Sequence, residues 1–273
     1  MNPADRLIGM SYTDLGSSRL YYERRGSGAP LLLIQGMAGH HRMWGEPFLD
    51  ALASDFDVVT FDHRGVGDSS DVPGPFTVAD LAADSVALLD ALDWSDAHVM
   101  GISLGGMVAQ EFSLQHPERV RTLVLGCTYA GGAGTTMTAP GPLRMIQAMN
   151  TGDIDVAIRT AYEANLSPDF RRDEAQFEPF KTASLSVRVR VPTVLRQAQA
   201  AYVHDTSARL PDLALPTLVA HGTVDEMIDA ANGSYLAELI PKARLEILDG
   251  LGHLFWWEQP DAVAGLVRSH CLS

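Results

Sequence analysis

Val99-Met100-Gly101-Ile102-Ser103-Leu104-Gly105-Gly106 reads as a buried strand that enters a sharp turn and leaves it as a helix, with Ser103 at the apex. The segment from Gly101 to Gly105 has the form G-x-S-x-G, a nucleophile elbow. A residue at such an apex sits in sparsely populated backbone space, and side chains two positions to either side would clash. Gly101 and Gly105 carry no Cβ. The turn lifts a serine hydroxyl above the end of a sheet, with the Leu104 N–H aimed at the same space. The plain alternative is a glycine-rich turn with a surface serine. Five residues cannot decide between the two, so the decision falls to the rest of the chain.

Upstream, residues 8–25 read as two strands joined by the turn-rich stretch 14–18. Leu31-Leu32-Leu33-Ile34 is a continuous apolar run, the signature of a strand buried on both faces of a parallel sheet. Gln35-Gly36-Met37-Ala38-Gly39 follows at once. Small residues there permit a tight turn with exposed N–H groups, and Met37 N–H would join Leu104 N–H as the second donor to a tetrahedral oxyanion. His40 and His41 are adjacent, a poor spacing for metal ligation, and are expected to line the entrance or face solvent. Residues 43–53 have helical apolar spacing, and 57–61 form the next strand. Asp62-His63-Arg64-Gly65-Val66-Gly67-Asp68-Ser69 is a turn. It lacks the third glycine and the following helix of a dinucleotide fingerprint, so it reads as structural, with Asp62 and Arg64 bonding loop backbone.

Downstream, Thr77 opens a helix with Asp80 three residues on, a capping-box pattern. The strand 97–100 leads into the elbow, and the helix after Ser103 ends before Pro117 with its positive dipole end at the serine. Residues 120–125 are another buried strand. The rhythm then changes. From 130 to 210 the spacing is mainly helical, near 142–149, 153–165, 171–183 and 192–208, although 186–191 alternates like a strand. The strand–helix alternation returns at 217–220, with a helix near 229–240, a strand at 245–248 and a last helix opened by Pro260. The reading is an α/β fold: a mostly parallel sheet with helices on both faces. Residues 1–129 and 211–273 form the core, and 130–210 a mainly helical cap.

Composition bounds the function. A chain of 273 residues with 46% hydrophobic content holds one large α/β domain with an insertion. The net charge of -14 disfavours nucleic acid and anionic membranes. Met1–Arg6 lacks signal-peptide character, and no apolar run reaches the length of a membrane span. Cys127 and Cys271 lie outside any metal or redox spacing, so no zinc site is expected, and a reducing, cytoplasmic setting is the simplest account.

A serine hydroxyl needs a base, and the base needs an orienting carboxylate. His221-Gly222-Thr223-Val224-Asp225 ends one late strand, and Asp249-Gly250-Leu251-Gly252-His253 ends the next. Ser103, Asp225 and His253 therefore all fall at carboxyl ends of parallel strands, where ligands sit. Their chain order, Ser then Asp then His, is that of this hydrolase arrangement. Each has a bland alternative: aspartates after strands are usually turn formers, and the chain has nine histidines. Glu226 and Asp249 compete with Asp225 for the acid role.

Gln35-Gly36-Met37, Asp62-x-Arg64-Gly65-x-Gly67-x-Ser69, Gly101-Ile102-Ser103-Leu104-Gly105-Gly106, His221-Gly222-x-x-Asp225 and Gly252-His253 together resemble the α/β-hydrolase superfamily over essentially the whole chain. The resemblance implies an eight-stranded, mostly parallel sheet with a helical cap inserted after the sixth strand. It is nearest to esterase, enol-lactonase and cofactor-free haloperoxidase-like members. Gln35 stands where the family usually has a histidine, and serine at the elbow argues against dehalogenase and epoxide hydrolase chemistry.

The expectation is a serine hydrolase of small or medium esters or lactones, needing no cofactor or metal, with a homo-oligomer left open. Gly36, Trp44, Met107, Met137, Met145, Met149, Tyr162, Trp256 and Trp257 are candidates for the substrate pocket, with core packing the alternative for each. Arg144, Arg159 and Arg196 could anchor a substrate carboxylate or be solvated. Thioester hydrolysis, C–C hydrolysis, perhydrolysis and a non-catalytic ligand receptor remain open as other uses of the same fold.

Overall fold

Leu31–Ile34 is fully buried and lies near the middle of the sheet, and its alternate residues serve opposite faces. Leu31 and Leu33 pack with Val58, Met100, Ile102 and Val124. Leu32 and Ile34 pack with Val59, Phe61, Val99 and Leu125. A strand that feeds two cores cannot alternate apolar with polar, which is why it reads as an unbroken apolar run. The computed structural model describes residues 9–14 and 19–273. The expected connection at 14–18 lies outside them from residue 15 onward, as does the stretch Met1–Arg6.

Eight strands form one sheet: β1 (Gly9–Asp14), β2 (Arg19–Gly26), β3 (Ala29–Ile34), β4 (Phe56–Phe61), β5 (Ala97–Ile102), β6 (Val120–Gly126), β7 (Thr217–Gly222) and β8 (Ala243–Leu248). Their spatial order is β1-β2-β4-β3-β5-β6-β7-β8. β1 and β2 are antiparallel to their neighbours, and β3 to β8 run parallel. The parallel strands end on one side, which collects the loops after β3, β5, β7 and β8.

Helices cover both faces. α1 (Glu46–Leu52) packs on one side, and α2 (Val78–Ala91) and α3 (Leu104–Gln115) on the other. The expected capping box at α2 is made: Thr77 Oγ1 accepts from Asp80 N–H, and the Asp80 carboxylate accepts from Thr77 N–H at 2.7 Å. Between β6 and β7 the chain carries α4 (Gly141–Asn150), α5 (Ile154–Asn165), α6 (Phe177–Leu185) and α7 (Val191–Tyr202). After β7 come α8 (Ala231–Leu239), α9 (Phe255–Glu258) and α10 (Pro260–Cys271).

Three local expectations need correction. The helix expected over 171–183 begins only at Phe177; short 3-10 turns at Phe170–Arg172 and Glu174–Gln176 precede it, the second capped by the Asp173 side chain. The helix expected to reach 208 stops at Tyr202. The alternating stretch 186–191 forms a single bridge, Val66 to Val189, because no neighbouring strand lies alongside it to extend a ladder.

Burial also decides how stability depends on pH. Desolvation, before any other influence, holds His40, His98 and His204 neutral, each lowered to about 4. In the unfolded chain the same rings protonate near pH 6.5, at about the model-peptide value. Between those two values the unfolded state binds more protons, so stability rises with pH there and is lost as the pH falls from about 6.5 toward 4. Urea unfolding at pH 7, 5.5 and 4.5 should give a midpoint that drops at each step. An unchanged midpoint would contradict these burials.

Candidate active site

Ser103 occupies the junction of β5 and α3 with φ 53° and ψ -123°. That left-handed backbone is rare for a residue with a side chain and marks stored strain. The flanking glycines make it possible. A Cβ on Gly101 would lie 2.1 Å from Gly105 O, and one on Gly105 would lie 2.1 Å from Ile34 O. The elbow is held from below: Ser103 N–H donates to Gly126 O at 2.9 Å, and Thr128 Oγ1 donates to Ser103 O at 2.7 Å. Leu104 opens α3, so its N–H belongs to the unpaired first turn of a helix.

The loop after β3 faces the serine. Gly36 lies against it, with the Cβ position of Gly36 only 3.4 Å from Ser103 Oγ. The amides of this loop are used selectively. Gly36 N–H donates to its neighbour Gln35 Oε1 at 2.9 Å, Ala38 N–H to Gln197 Oε1 at 2.9 Å, and Gly39 N–H to Gly36 O at 3.1 Å. Met37 N–H, between them, has no acceptor among the described residues. His63 Nε2 meets Gln35 O at 2.9 Å and fixes the start of the loop.

Asp225 follows β7, and His253 follows β8. Gly222 allows their loops to touch, since a Cβ there would lie 2.2 Å from Leu251 O, and Val224 N–H donates to that same oxygen at 3.1 Å. His253 Nδ1 lies 2.8 Å from Asp225 Oδ2. Of the competing acids, Glu226 instead pairs with Arg144 at 2.5 Å, and Asp249 accepts from Thr223 Oγ1 at 3.2 Å. The Asp225 carboxylate takes four donors: His253 Nδ1 and His221 Nε2 on Oδ2, and Met227 N–H and Ile228 N–H on Oδ1. Burial pushes this carboxyl up, but His253 and His221 outweigh burial and hold it well below the usual carboxylate range.

An ionised carboxylate only accepts, so the proton between it and His253 resides on Nδ1. The Nε2 of that ring is left as a base. His221 Nε2 also lies 3.0 Å from Ile228 O, an acceptor, so that nitrogen carries a proton and donates.

Cys127 completes the neighbourhood. It follows β6 directly, with φ 40°, is fully buried, and has its sulfur beside the Ser103 amide. Its sulfur, an Asp225 oxygen and a His253 nitrogen lie within 4.8 Å of one another, near enough to share a metal ion. The carboxylate has no acceptor position to spare for one, because its four donors fill both oxygens. Burial, then the Asp225 charge, pushes the Cys127 thiol up and leaves it a protonated packing group. Cys127 also bridges Ser103 to the Asp225–His253 pair in space. Ser103 Oγ makes no hydrogen bond to His253 in this structure; bonds of this kind commonly tighten only when substrate is bound.

Several contributors carried no sequence signal. Glu258, in the short helix α9, accepts from Gly252 N–H at 2.8 Å and Ser167 N–H at 3.0 Å, and also bonds Ser167 Oγ. It clamps the His253 loop to the end of α5. Thr128 and Gln197 act through contacts 25 and 159 positions apart, which no local pattern encodes, whereas His221 lies within the motif that marks Asp225 and only its bond to that carboxylate goes unsignalled.

The expected pocket residues are dispersed. Trp44, Tyr162 and Trp256 are fully buried in one core, and Met107 is buried in the other. Met145 is half-buried, Met137 and Met149 are exposed, and Trp257 donates its Nε1–H to Met43 O at 2.8 Å. Arg144 pairs with Glu163 and Glu226, Arg159 with Glu163 and Glu174, and Arg196 with Asp71, so carboxylates of the chain already meet all three. His40 and His41 depart from expectation: both are buried, and His41 Nδ1 lies 2.9 Å from Asp62 Oδ1. The buried Asp62 draws the ring inward. Arg64 departs too, meeting the Asp84 carboxylate twice, at 2.6 and 2.7 Å, with only a secondary bond to backbone.

Comparison with known proteins gives the family. The chain is 30% identical, over 96% of its length and 98% of the relative's, to RutD of Azorhizobium caulinodans, which carries a provisional carbamate hydrolase name. It is 31% identical to a poly(3-hydroxyalkanoate) depolymerase of Ectopseudomonas oleovorans, over 87% of this chain and 82% of that one. The solved structure of the esterase RhEst1 from Rhodococcus sp. ECU1013 superposes with a TM-score of 0.83 at 28% identity, covering 97% of this chain and 98% of that one. Residues 29–260 match the family described as alpha/beta hydrolase fold, and the chain is a member of that family.

Proposed function

We propose that this hydrolase cleaves a small or medium carboxylic ester or lactone through an acyl-enzyme on Ser103. The observation that carries the reading is Ser103 at a strained apex with Gly36 at its hydroxyl, each followed at once in the chain by an amide with no acceptor among the described residues, Met37 after Gly36 and Leu104 after Ser103. Ser103 Oγ attacks the carbonyl carbon while His253 Nε2 takes the hydroxyl proton. The carbonyl π electrons move to oxygen, and Met37 and Leu104 N–H groups hold that oxyanion. Collapse of the intermediate breaks the bond to the leaving alcohol, which receives the proton from His253. Water then repeats the sequence on the acyl-enzyme and frees Ser103. Asp225 keeps His253 in the productive tautomer and supports its positive charge. The positive end of α3 adds to the oxyanion field.

The esterase and depolymerase names among the similar proteins support an ester substrate, and the RutD name makes a carbamate the natural competitor. A turnover panel of p-nitrophenyl esters of two to eight acyl carbons, simple lactones, a thioester and an aryl carbamate separates them. Under this reading kcat/KM is highest for an ester or lactone. A preference for the carbamate or thioester by tenfold or more would reassign the substrate and keep the nucleophile.

A further inference from the structure

We infer that Gln197, on α7, is a positioning residue for the oxyanion hole, so that the segment inserted between β6 and β7 takes part in catalysis as well as enclosing substrate. The inference rests on the serine-hydrolase reading above. It starts from Ala38, a non-glycine residue held at φ 58° in the loop after β3. Its N–H is fixed by Gln197 Oε1 at 2.9 Å, across 159 positions of sequence. On the other side of Met37, Gly36 N–H is fixed by Gln35 Oε1. The two glutamine oxygens thus engage the amides flanking Met37 and leave the Met37 N–H as the free donor between them.

The orientation of the Gln197 amide follows from this contact, since the opposite orientation would set an NH2 group against an N–H. Gln197 is fully buried, and its Nε2 has no hydrogen-bond partner. A buried amide with an unsatisfied donor is costly to the fold. An apolar side chain of similar length would remove that cost but leave the half-buried Ala38 N–H without its acceptor, so the two effects offset and net stability does not explain the glutamine.

α7 is suited to hold such a contact still. On either side of Gln197 the helix is tied to the core: Thr193 Oγ1 donates to Gly65 O at 3.2 Å, Arg196 Nη2 meets Asp71 Oδ1 at 2.6 Å, and Ala201 O accepts from Tyr129 Oη at 3.0 Å. A donor that must meet a developing charge gains from supports that are themselves locked.

The variant Gln197→Met keeps length and removes the acceptor. With p-nitrophenyl butyrate as substrate, kcat should fall roughly tenfold to a hundredfold, short of the roughly 10²–10³ seen when an oxyanion donor is deleted outright. KM should stay within about twofold, since ground-state binding is untouched. The affinity of an aryl trifluoromethyl ketone, whose serine adduct carries the oxyanion, should fall in step with kcat/KM. The melting temperature should stay within a few degrees of wild type, because the orphaned Nε2 removed and the Ala38 N–H left unpaired offset each other, whereas loss of a structural prop would lower it clearly. A Gln197→Met protein with wild-type kcat, with kcat lost but ketone affinity kept, or with its fold lost overturns the inference. If the wild-type chain neither hydrolyses such esters nor binds the ketone, the serine-hydrolase reading fails instead.

Discussion

Ser103→Ala should abolish turnover, lowering kcat by about 10⁶-fold, the scale of loss when a serine nucleophile is removed from a working triad. No neighbouring group can take over the attack. Cys127 is close, but its thiol is protonated, fully buried and packed below the elbow, with a pKa raised by burial and by Asp225. The substitution should leave the fold intact. Alanine meets the same φ 53° that serine already tolerates, and the bonds holding Ser103 are made by its backbone. Initial rates on the best ester of the panel, with far-ultraviolet circular dichroism of both proteins, give the comparison. A folded Ser103→Ala protein that retains more than about a thousandth of the activity would mean that the acyl group never rests on Ser103, since loss of a triad nucleophile leaves only about a millionth of the wild-type rate.

Asp225→Asn should lower kcat by about 10⁴-fold. The amide presents an NH2 group where His253 Nδ1–H needs an acceptor, or turns and presents it to the N–H groups of Met227 and Ile228. The ring is then left in the wrong tautomer or the loop loses its anchor. The same substitution changes stability in a defined direction. The folded-state pKa of Asp225 lies below its unfolded value of about 3.9. Its stabilising contribution is therefore fully present above about pH 4 and is lost as the pH falls through the folded value. Asp225→Asn should be less stable than wild type at pH 7, with the difference shrinking below pH 4. Glu226→Gln is the control. It breaks the ion pair to Arg144 on α4 but leaves the His253 contact alone, so kcat should stay within a few-fold of wild type. The reverse result, with Glu226→Gln dead and Asp225→Asn active, would move the acid by one residue.

Much of the fold could be read from the chain because its central strands are buried on both faces and its turns need glycine. Leu31–Ile34 and the elbow glycines admit few other interpretations, and backbone clashes near 2.1 Å explain why. The insertion was harder. Its helices have marginal apolar faces, with Leu143, Ile146, Ile154 and Leu195 all exposed, so periodicity blurred their ends and 186–191 mimicked a strand. The site divides along a similar line. Ser103, Asp225 and His253 follow strand ends with short motifs, so local sequence marks them. The inward position of His41 is invisible in the local spacing because it is set by Asp62, twenty-one positions away. Gln197 and Glu258 carry no local signal because the contacts that matter, to Ala38 and to Ser167, span 159 and 91 positions of the chain.

Incubation with a fluorophosphonate, followed by peptide mass spectrometry, tests most directly whether a serine made reactive by its surroundings is at work. One equivalent should bind per chain, on the peptide containing Ser103, and labelling should be lost in a folded His253→Ala variant. A wild-type chain that hydrolyses esters while Ser103 stays unmodified would contradict the account.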